Sequence, residues 1–115
     1  MSLSENLKNE ILQNLKSIDP DQVILFGSHA WGDATLDSDI DLYVVTKDDF
    51  IPESWREKNN IYLKVAKSIE NIMRTYPTDL IVHTRRMHQK FIELNSSFSR
   101  EIRLKGLKLY ESGQS

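Results

Sequence analysis

The stretch from Val23 to Val45, VILFGSHAWGDATLDSDIDLYVV, decides the fold of this chain. It begins with an apolar run that ends at a Gly-Ser pair, and it closes with a second apolar run that carries two aspartates. Short apolar runs that are rich in β-branched residues and bounded by Gly, Ser and Asp are typical of buried strands. The stretch therefore predicts two neighbouring strands, the first of which ends in a Gly-Ser turn.

The two aspartates of the second run, Asp39 and Asp41, indicate a metal site. Side chains two residues apart on a strand lie on the same face, about 6.6 Å apart along the chain. Burying unpaired carboxylates is costly, and the stretch contains no lysine or arginine that could pair with them. Because hard oxygen ligands favour Mg²⁺, or alternatively Mn²⁺, we predict that both aspartates bind one or two such ions. The alternating residues Ile40, Leu42 and Val44 are predicted to face the core.

The Gly27-Ser28 pair predicts a phosphate-binding turn. A strand that ends in Gly-Ser and continues into a short helix leaves backbone N–H groups without helical acceptors, and these groups favour an anion together with the helix dipole. Gly27 lets a phosphate approach the backbone closely, and Ser28 offers a hydroxyl. A phosphate site that faces a carboxylate metal site is what metal-assisted phosphoryl or nucleotidyl transfer requires.

The motif G-S-x-A-x-G at 27–32, followed by S-D-I-D-L at 38–42, resembles the signature of the DNA polymerase β-like nucleotidyltransferases. At 115 residues the chain is similar to the minimal nucleotidyltransferases of bacteria and archaea, which often occur beside a HEPN-domain protein. The resemblance is strong over 23–45 and extends more weakly to Asp79 and to 102–111, IRLKGLKLYE. It implies an α/β (α+β) fold, in which a mixed sheet of about four strands is flanked by helices.

The resemblance also implies roles for the site residues. Asp39, Asp41 and a third carboxylate, Asp79 at the start of a predicted third strand, are expected to be catalytic and to hold the metal, most simply two Mg²⁺ ions. Gly27 and Ser28 are expected to bind the β- and γ-phosphates of a nucleoside triphosphate. An acceptor hydroxyl would attack the α-phosphorus, and Asp79 would help to take its proton.

The expected reaction is the transfer of AMP from ATP to a hydroxyl of a partner. The resemblance implies that the partner is a HEPN-domain protein, the toxin of a pair in which this chain is the antitoxin. Because the chain is too short to include an acceptor-binding module, we expect a homo- or hetero-oligomer. Two alternatives stay open. One is a non-catalytic module that binds nucleotide and neutralises its partner by binding, and the other is an aminoglycoside-type enzyme with a small-molecule acceptor.

Length and composition predict a single soluble domain over 1–115, of which Met1-Ser2-Leu3 could be a cloning remnant. The hydrophobic fraction of 39% and the charged fraction of 28% are ordinary for a globular protein. A formal net charge of −2 gives no field that would draw the chain to nucleic acid, so no direct nucleic-acid binding is expected. Since the sequence has no cysteine, no membrane-span pattern and no signal-peptide pattern, we expect a cytoplasmic protein without membrane association.

Apolar periodicity and capping residues predict the remaining elements. The helix over 53–76 is expected to be continuous, with a buried stripe from Tyr62 to Tyr76, and Leu94 is expected to face inward from the helix over 85–94. Helices are predicted near 4–17, 53–76, 85–94 and 99–105, with caps at Ser4, Asp49, Thr84 and Ser99, and strands at 22–26, 79–83 and 107–110.

Several polar and aromatic residues near the motif have two interpretations. His29 and Trp31 stand where similar proteins often carry a basic residue. His29 could contact a phosphate or serve in packing, and Trp31 could pack on the sheet, the preferred interpretation, or stack on a base. Ser38 is expected to position Asp39 by hydrogen bonding, whereas Asp33 and Asp37 are interpreted as solvated or capping residues. The helix over 85–94 is expected to be basic on its outer side, where it carries Arg85, Arg86, His88 and Lys90. A wider basic set is interpreted as solvated surface or, alternatively, as a docking face for an acidic partner or for nucleotide phosphates; its members are Arg85, Arg86, Arg100, Arg103, Lys105 and Lys108.

Overall fold

The computed structural model describes residues 3–32, 34–35 and 38–113. The elements are α1 (Glu5–Leu15), a 3-10 turn (Lys16–Ile18), β1 (Gln22–Phe26), α2 (Ser28–Trp31), β2 (Ile40–Val45), α3 (Trp55–Ser68), α4 (Glu70–Thr75), β3 (Thr78–His83), α5 (Arg85–Leu94), α6 (Ser97–Lys105) and β4 (Leu107–Glu111).

The four strands form one mixed sheet in the order β3-β2-β1-β4. β1 is antiparallel to β2 and to β4, whereas β2 and β3 are parallel. α3 and α4 connect the parallel pair, because a parallel connection has to cross over the sheet. The predicted fold, a mixed sheet of about four strands flanked by helices, is confirmed.

One face of the sheet carries the larger hydrophobic core. Ile40, Leu42 and Val44 of β2 lie on this face and are at most 2% exposed, as the alternation within the strand predicted. Helices α1, α3 and α4 supply the side chains that cover them, among which Leu15 is fully buried. Leu3, which the sequence allowed to be a cloning remnant, is buried in the same core.

The opposite face carries a smaller core that includes residues of α5 and α6. Tyr43 of β2 is fully buried there beside Ile24 and Phe26 of β1 and Ile102 of α6. Since strand residues two apart share a face, Asp41 lies on the same face as Tyr43. The candidate site is therefore at one end of a face whose other part is packed core.

Serine and threonine hydroxyls cap four of the helices. The predicted caps are confirmed for α1, where the Leu7 N–H donates to the Ser4 hydroxyl (3.2 Å), and for α5, where the Met87 N–H donates to the Thr84 hydroxyl (3.1 Å). The other two predicted caps were wrong. Ser54 rather than Asp49 caps α3, and Ser96 rather than Ser99 caps α6, because α3 begins two residues after its predicted start and α6 begins two residues before its predicted start.

The crossover helix predicted over 53–76 is interrupted at Ile69, which was not foreseen. Ile69 leaves the helical region with φ −114° and ψ 23°, so that α3 ends at Ser68 and α4 begins at Glu70. The apolar period continues through the break, and the pattern alone therefore could not reveal it. Tyr76, which was expected in the buried stripe, is 41% exposed because α4 ends before it.

The inward face of α5 also differs from the prediction. His88 was placed on the outer basic face but is buried, and Leu94 was placed inward but is 78% exposed. His88 follows the capping Thr84 by four residues and precedes Phe91 by three, so these positions lie on one stripe of the helix. His88 can be buried because the Tyr43 hydroxyl, 2.8 Å from its Nδ1 atom, provides a hydrogen-bond partner.

Within the described residues, no helix combines the length and the apolar character that a membrane span would need.

We expect Ile69→Ala to lower the free energy of unfolding by about 2–5 kcal/mol, because it opens a cavity at a side chain that is fully buried where α3 meets α4. The control is Leu63→Ala on α3, where the side chain is 51% exposed and the loss should be about 1 kcal/mol or less. Urea unfolding of the two variants measures the difference. Equal losses would contradict the assignment of Ile69 to the core.

Candidate active site

Strand pairing brings the predicted site residues to one end of the sheet. In the parallel pair, Asp41 of β2 is the direct partner of Asp79 of β3. In the antiparallel pair, Asp41 is the partner of Phe26, the last residue of β1. Gly27 and Ser28 follow Phe26 directly, so the turn and the two carboxylates lie side by side. These residues lie close together because β1 ends, and β2 and β3 begin, at the same end of the sheet.

The Asp41 carboxyl is the most perturbed acid of this group. Burial, the neighbouring carboxylates of Asp79 and Asp39, and a hydrogen bond to Asp79 together raise the pKa of Asp41 from 3.8 to about 6. His29 opposes these effects and lowers the pKa of Asp41. Like charges at short range disfavour simultaneous ionisation, so Asp41 takes up a proton as the pH falls towards 6.

A divalent cation fits this pair on chemical grounds. Over residues 3–32, 34–35 and 38–113, no three or more His, Asp or Glu side chains are gathered closely enough to hold a metal ion together. Asp41 and Asp79 hydrogen-bond each other instead, and Asp39 adds its charge to theirs. The donors are hard carboxylate oxygens whose mutual repulsion a cation would relieve, which suits Mg²⁺ or Mn²⁺. The assignment of all three aspartates as metal ligands stays a prediction.

Gly27 allows the turn and the carboxylate to approach each other. Its backbone has φ 73° and ψ −160°, a region that is essentially restricted to glycine. A Cβ atom at this position would overlap the Asp41 carboxylate. The glycine is thus required by conformation and by space, and both requirements come from the contact between the end of β1 and β2.

Helix α2 begins directly at Ser28 and makes a single turn. The N–H groups of Ala30 and Trp31 donate to the Gly27 carbonyl at 3.0 and 3.2 Å. The two preceding amides, those of Ser28 and His29, belong to the first turn, whose N–H groups have no acceptor within a helix. The geometry predicted for a phosphate-binding turn, a Gly-Ser pair that leads into a short helix, is present at the edge that carries Asp41.

The segment before Asp39 is held by hydrogen bonds that do not involve that aspartate. The Ser38 hydroxyl accepts the Thr35 N–H at 2.9 Å, and the Ser38 N–H donates to the Thr35 carbonyl at 3.1 Å. His29 Nε2 donates to the Ser38 carbonyl at 3.2 Å, while His29 Nδ1 is buried without a partner. The expected bond from Ser38 to Asp39 is therefore replaced by a turn with Thr35. Asp33 and Asp37 lie outside the described residues.

Trp31 packs against the end of α6. Its indole N–H donates to the Lys105 carbonyl at 3.2 Å, and the Lys105 ammonium lies 5.6 Å from the centre of the indole ring. Trp31 was expected to pack on the sheet, but its contacts are with the end of α6 and its side chain is 41% exposed. Lys105, assigned from the sequence to a general basic surface, was not singled out because its position beside α2 depends on the pairing of β1 with β4.

A buried polar cluster of Tyr43, His83 and His88 continues the face behind Asp41. The Tyr43 hydroxyl lies 2.9 Å from His83 Nδ1 and 2.8 Å from His88 Nδ1, so it donates to one ring and accepts from the other. Burial, together with the neighbouring His88 and Lys58, lowers the pKa of His83 to about 4, and burial also lowers the pKa of His88. Both rings are neutral near pH 7, and the cluster links β2, β3 and α5 without adding charge beside the aspartates. The sequence did not reveal it, because its members lie on three elements.

Comparison with known families assigns the chain to one of them. Residues 5–114 match the family described as polymerase beta, nucleotidyltransferase. The chain belongs to this nucleotidyltransferase family. The resemblance predicted from G-S-x-A-x-G and S-D-I-D-L is thereby confirmed. No curated protein matches the chain significantly by sequence.

Solved structures with the same fold come from toxin-antitoxin complexes. A chain of a toxin-antitoxin with AMP-PNP is 21% identical to this nucleotidyltransferase, with a TM-score of 0.59 over 93% of this chain and 75% of that one. A chain of a mutant of the toxin-antitoxin MntA-HpeT is 23% identical, with a TM-score of 0.57 over 98% of this chain and 76% of that one. At these identities the similarity establishes the fold.

We expect Gly27→Ala to destabilise the nucleotidyltransferase by more than about 2 kcal/mol, because it adds a steric overlap with Asp41 to the backbone strain of a positive φ. Gly32→Ala is the matched control, since Gly32 has φ 85° but open space around its Cβ position, and it should lose only about 1–2 kcal/mol. Urea unfolding in wild-type and Asp41→Ala backgrounds measures both losses. The excess loss of Gly27→Ala should shrink when Asp41 is truncated, and an unchanged excess would exclude the overlap as its cause.

We expect Asp41→Asn to stabilise the fold at neutral pH. The folded state holds the Asp41 proton more tightly than the unfolded state, where the pKa has its ordinary value of 3.8, so ionisation costs folding free energy between pH 3.8 and about 6 and the full cost applies above that range. Allowing for solvent screening, the gain at pH 7.5 is about 1 kcal/mol, or roughly 4 °C in melting temperature. The gain in stability should be smaller at pH 4.5. Any effect of His83 and His88 on stability is common to the variant and the wild type, so it cancels in the comparison. A less stable variant at pH 7.5 would contradict this account of Asp41.

Proposed function

We propose that this nucleotidyltransferase transfers AMP from ATP to a hydroxyl group of a partner protein, and that it acts as the antitoxin of a pair whose toxin is a HEPN-domain protein. The single observation that carries the proposal is the meeting of Asp41, Asp79 and the Gly27-Ser28 turn at one edge of the sheet. This arrangement supports the proposal because nucleotidyl transfer needs carboxylates that can hold a cation and, beside them, a turn suited to phosphate.

Asp39, Asp41 and Asp79 are the residues that would hold the metal. Bound there, Mg²⁺ or Mn²⁺ would neutralise charge on the triphosphate and on the oxygens that attack and leave. The protein supports this arrangement by holding Asp41 against Asp79 through the parallel pairing of β2 and β3. The alternation along β2 keeps Ile40 on the opposite, apolar face from Asp41, and Asp39, which directly precedes β2, adds its charge to that of Asp41.

The chain's own groups account for binding and proton transfer. The amides at the start of α2 and the Ser28 hydroxyl would hold the β- and γ-phosphates, which orients the α-phosphorus towards the aspartates. A bond would form between the acceptor oxygen and the α-phosphorus, and the bond from this phosphorus to the bridging oxygen of pyrophosphate would break. Asp79 is exposed at the start of β3 and would accept the proton of the attacking hydroxyl, whereas Asp41 is more enclosed.

The choice of nucleotide and partner is supported by the related folds. A solved toxin-antitoxin of the same fold contains AMP-PNP, an ATP analogue, and another is a mutant of the MntA-HpeT pair. The described residues form the sheet and its covering helices, and they include no separate module that would hold an acceptor. We infer that the partner protein itself presents the hydroxyl, a tyrosine being the expected side chain.

Intact-mass spectrometry of a coexpressed HEPN-domain protein tests the proposal. Incubation of the wild-type pair with ATP and Mg²⁺ should add one or more AMP units to the partner. We expect Asp39→Asn and Asp41→Asn to lower the rate of this addition by about 100-fold or more, because each removes a carboxylate ligand of the cation. Leu63→Ala, on the outer surface of α3, is the control and should keep the wild-type rate.

The outcomes separate the proposed reaction from its alternatives. A mass gain that persists in Asp41→Asn would overturn the assigned site. Nucleotide binding without any mass gain on the partner would support a non-catalytic module that neutralises by binding. AMP transfer to an aminoglycoside but not to the protein would support a small-molecule acceptor.

A further inference from the structure

The nucleotide-binding edge of the sheet has an excess of negative charge. The Asp41 and Asp79 carboxyls meet there and Asp39 adds its charge, so that these acids together with a bound triphosphate would carry more negative charge than two divalent cations neutralise. The stretch from Val23 to Val45 contains no lysine or arginine. A fixed cation for the outer phosphates would therefore have to come from another part of the chain.

The register of β1 and β4 brings one lysine to this edge. Leu25 of β1 pairs with Leu107 at the start of β4, and the two strands are antiparallel. The chain beyond Leu25 leads to the Gly27-Ser28 turn, while the chain before Leu107 leads back through Gly106 to Lys105. Lys105 thus ends α6 alongside the predicted phosphate-binding turn.

Contacts with α2 confirm this placement and hold the lysine there. The Trp31 indole N–H donates to the Lys105 carbonyl at 3.2 Å, and the Lys105 ammonium lies 5.6 Å from the centre of the Trp31 ring. Trp31 is three residues after Ser28, so the two side chains lie on the same side of this one-turn helix. The ammonium is therefore held on the side of α2 from which Ser28 projects.

The cations near the ends of β1, β2 and β3 are committed to other partners. Lys47 pairs with Asp19 at 2.9 Å, and Arg85 pairs with Asp21 at 3.2 Å. Both pairs lie at the end of the sheet opposite Asp41. Lys47 and Arg85 follow the last residues of β2 and β3, and their acidic partners precede the first residue of β1. Over 3–32, 34–35 and 38–113, Lys105 forms no ion pair with a carboxylate, and its side chain is exposed.

We propose that Lys105, held in place by Trp31, binds the terminal phosphates of the triphosphate that rests on the Gly27-Ser28 turn. The inference rests on the proposed function and adds a binding residue to the same site. A cation over an aromatic face is held weakly when the site is exposed, and a lysine stem has several rotatable bonds. The ammonium can therefore leave the indole face for a phosphate oxygen while the Trp31 bond keeps its backbone fixed.

Tryptophan fluorescence of the full chain tests this step. The sequence has two tryptophans, and Trp55→Phe leaves Trp31 as the only indole. In this background, Mg²⁺-ATP should change the emission of Trp31, because the ammonium moves away from the ring. AMP lacks the outer phosphates and should give no change. The change should disappear in Lys105→Gln.

Calorimetric titration with Mg²⁺-ATP gives the matched affinity comparison. We expect Lys105→Gln to weaken binding about tenfold, which is the range of a single charge-assisted contact, and to leave AMP binding within about twofold of wild type. Lys105→Arg should restore most of the ATP affinity. Lys90→Gln removes the same charge from an exposed position on α5 and should bind ATP like wild type.

The results distinguish this inference from the proposed function. Equal ATP affinity of Lys105→Gln and Lys90→Gln would overturn the role of Lys105 alone. An equal loss of ATP and AMP affinity in Lys105→Gln would also overturn it, because the contact would then not be with the outer phosphates. If wild type bound neither nucleotide in the presence of Mg²⁺, both the role of Lys105 and the proposed function would be overturned.

Discussion

The structure depends on one electrostatic constraint, the enforced proximity of the Asp41 and Asp79 carboxyls across the parallel strands β2 and β3. Their Cα atoms are direct partners in the register, and the pKa of Asp41 is raised to about 6 by burial, by Asp79 and by Asp39. Two acids do not approach each other spontaneously, so the rest of the fold has to hold them together. The crossover through α3 and α4 does so, because it makes the two strands parallel and adjacent.

The stability that opposes this repulsion comes mainly from the other face of the sheet. Ile40, Leu42 and Val44 are buried there, and each lies between residues that face the site or its neighbouring core. Behind Asp41, the same strand continues with Tyr43, whose hydroxyl is satisfied by His83 and His88. These neutral partners complete the polar face without bringing a positive charge that would compete with a metal ion for the carboxylates. The strand is thus stable along its length although it carries the acidic Asp41 near its start.

Much of the fold could be predicted because its signals are local. Alternation in β2, the break at Gly27-Ser28 and the caps Ser4 and Thr84 are all set by neighbours in sequence, and each was recovered. The break at Ile69 was missed because the apolar period continues through it. His88 was misassigned because its burial depends on a hydroxyl 45 residues away. Proximity of Asp79 to Asp41 could be expected only from the family resemblance, since the pairing of β2 with β3 is a tertiary contact.

The two ends of the sheet differ in how their acidic side chains are paired. At one edge the acids Asp19 and Asp21 are matched by Lys47 and Arg85, so their charges are largely neutralised within the protein. At the other edge the carboxylates have one another as nearest neighbours, and the charge they leave is available to an external cation. The proposed site therefore lies where, among the described residues, Asp41 and Asp79 form no ion pair with a basic side chain. The same physical reason makes this end of the sheet acidic and destabilises the ionised form of Asp41, and a divalent cation bound there would relieve the repulsion between the two carboxyls.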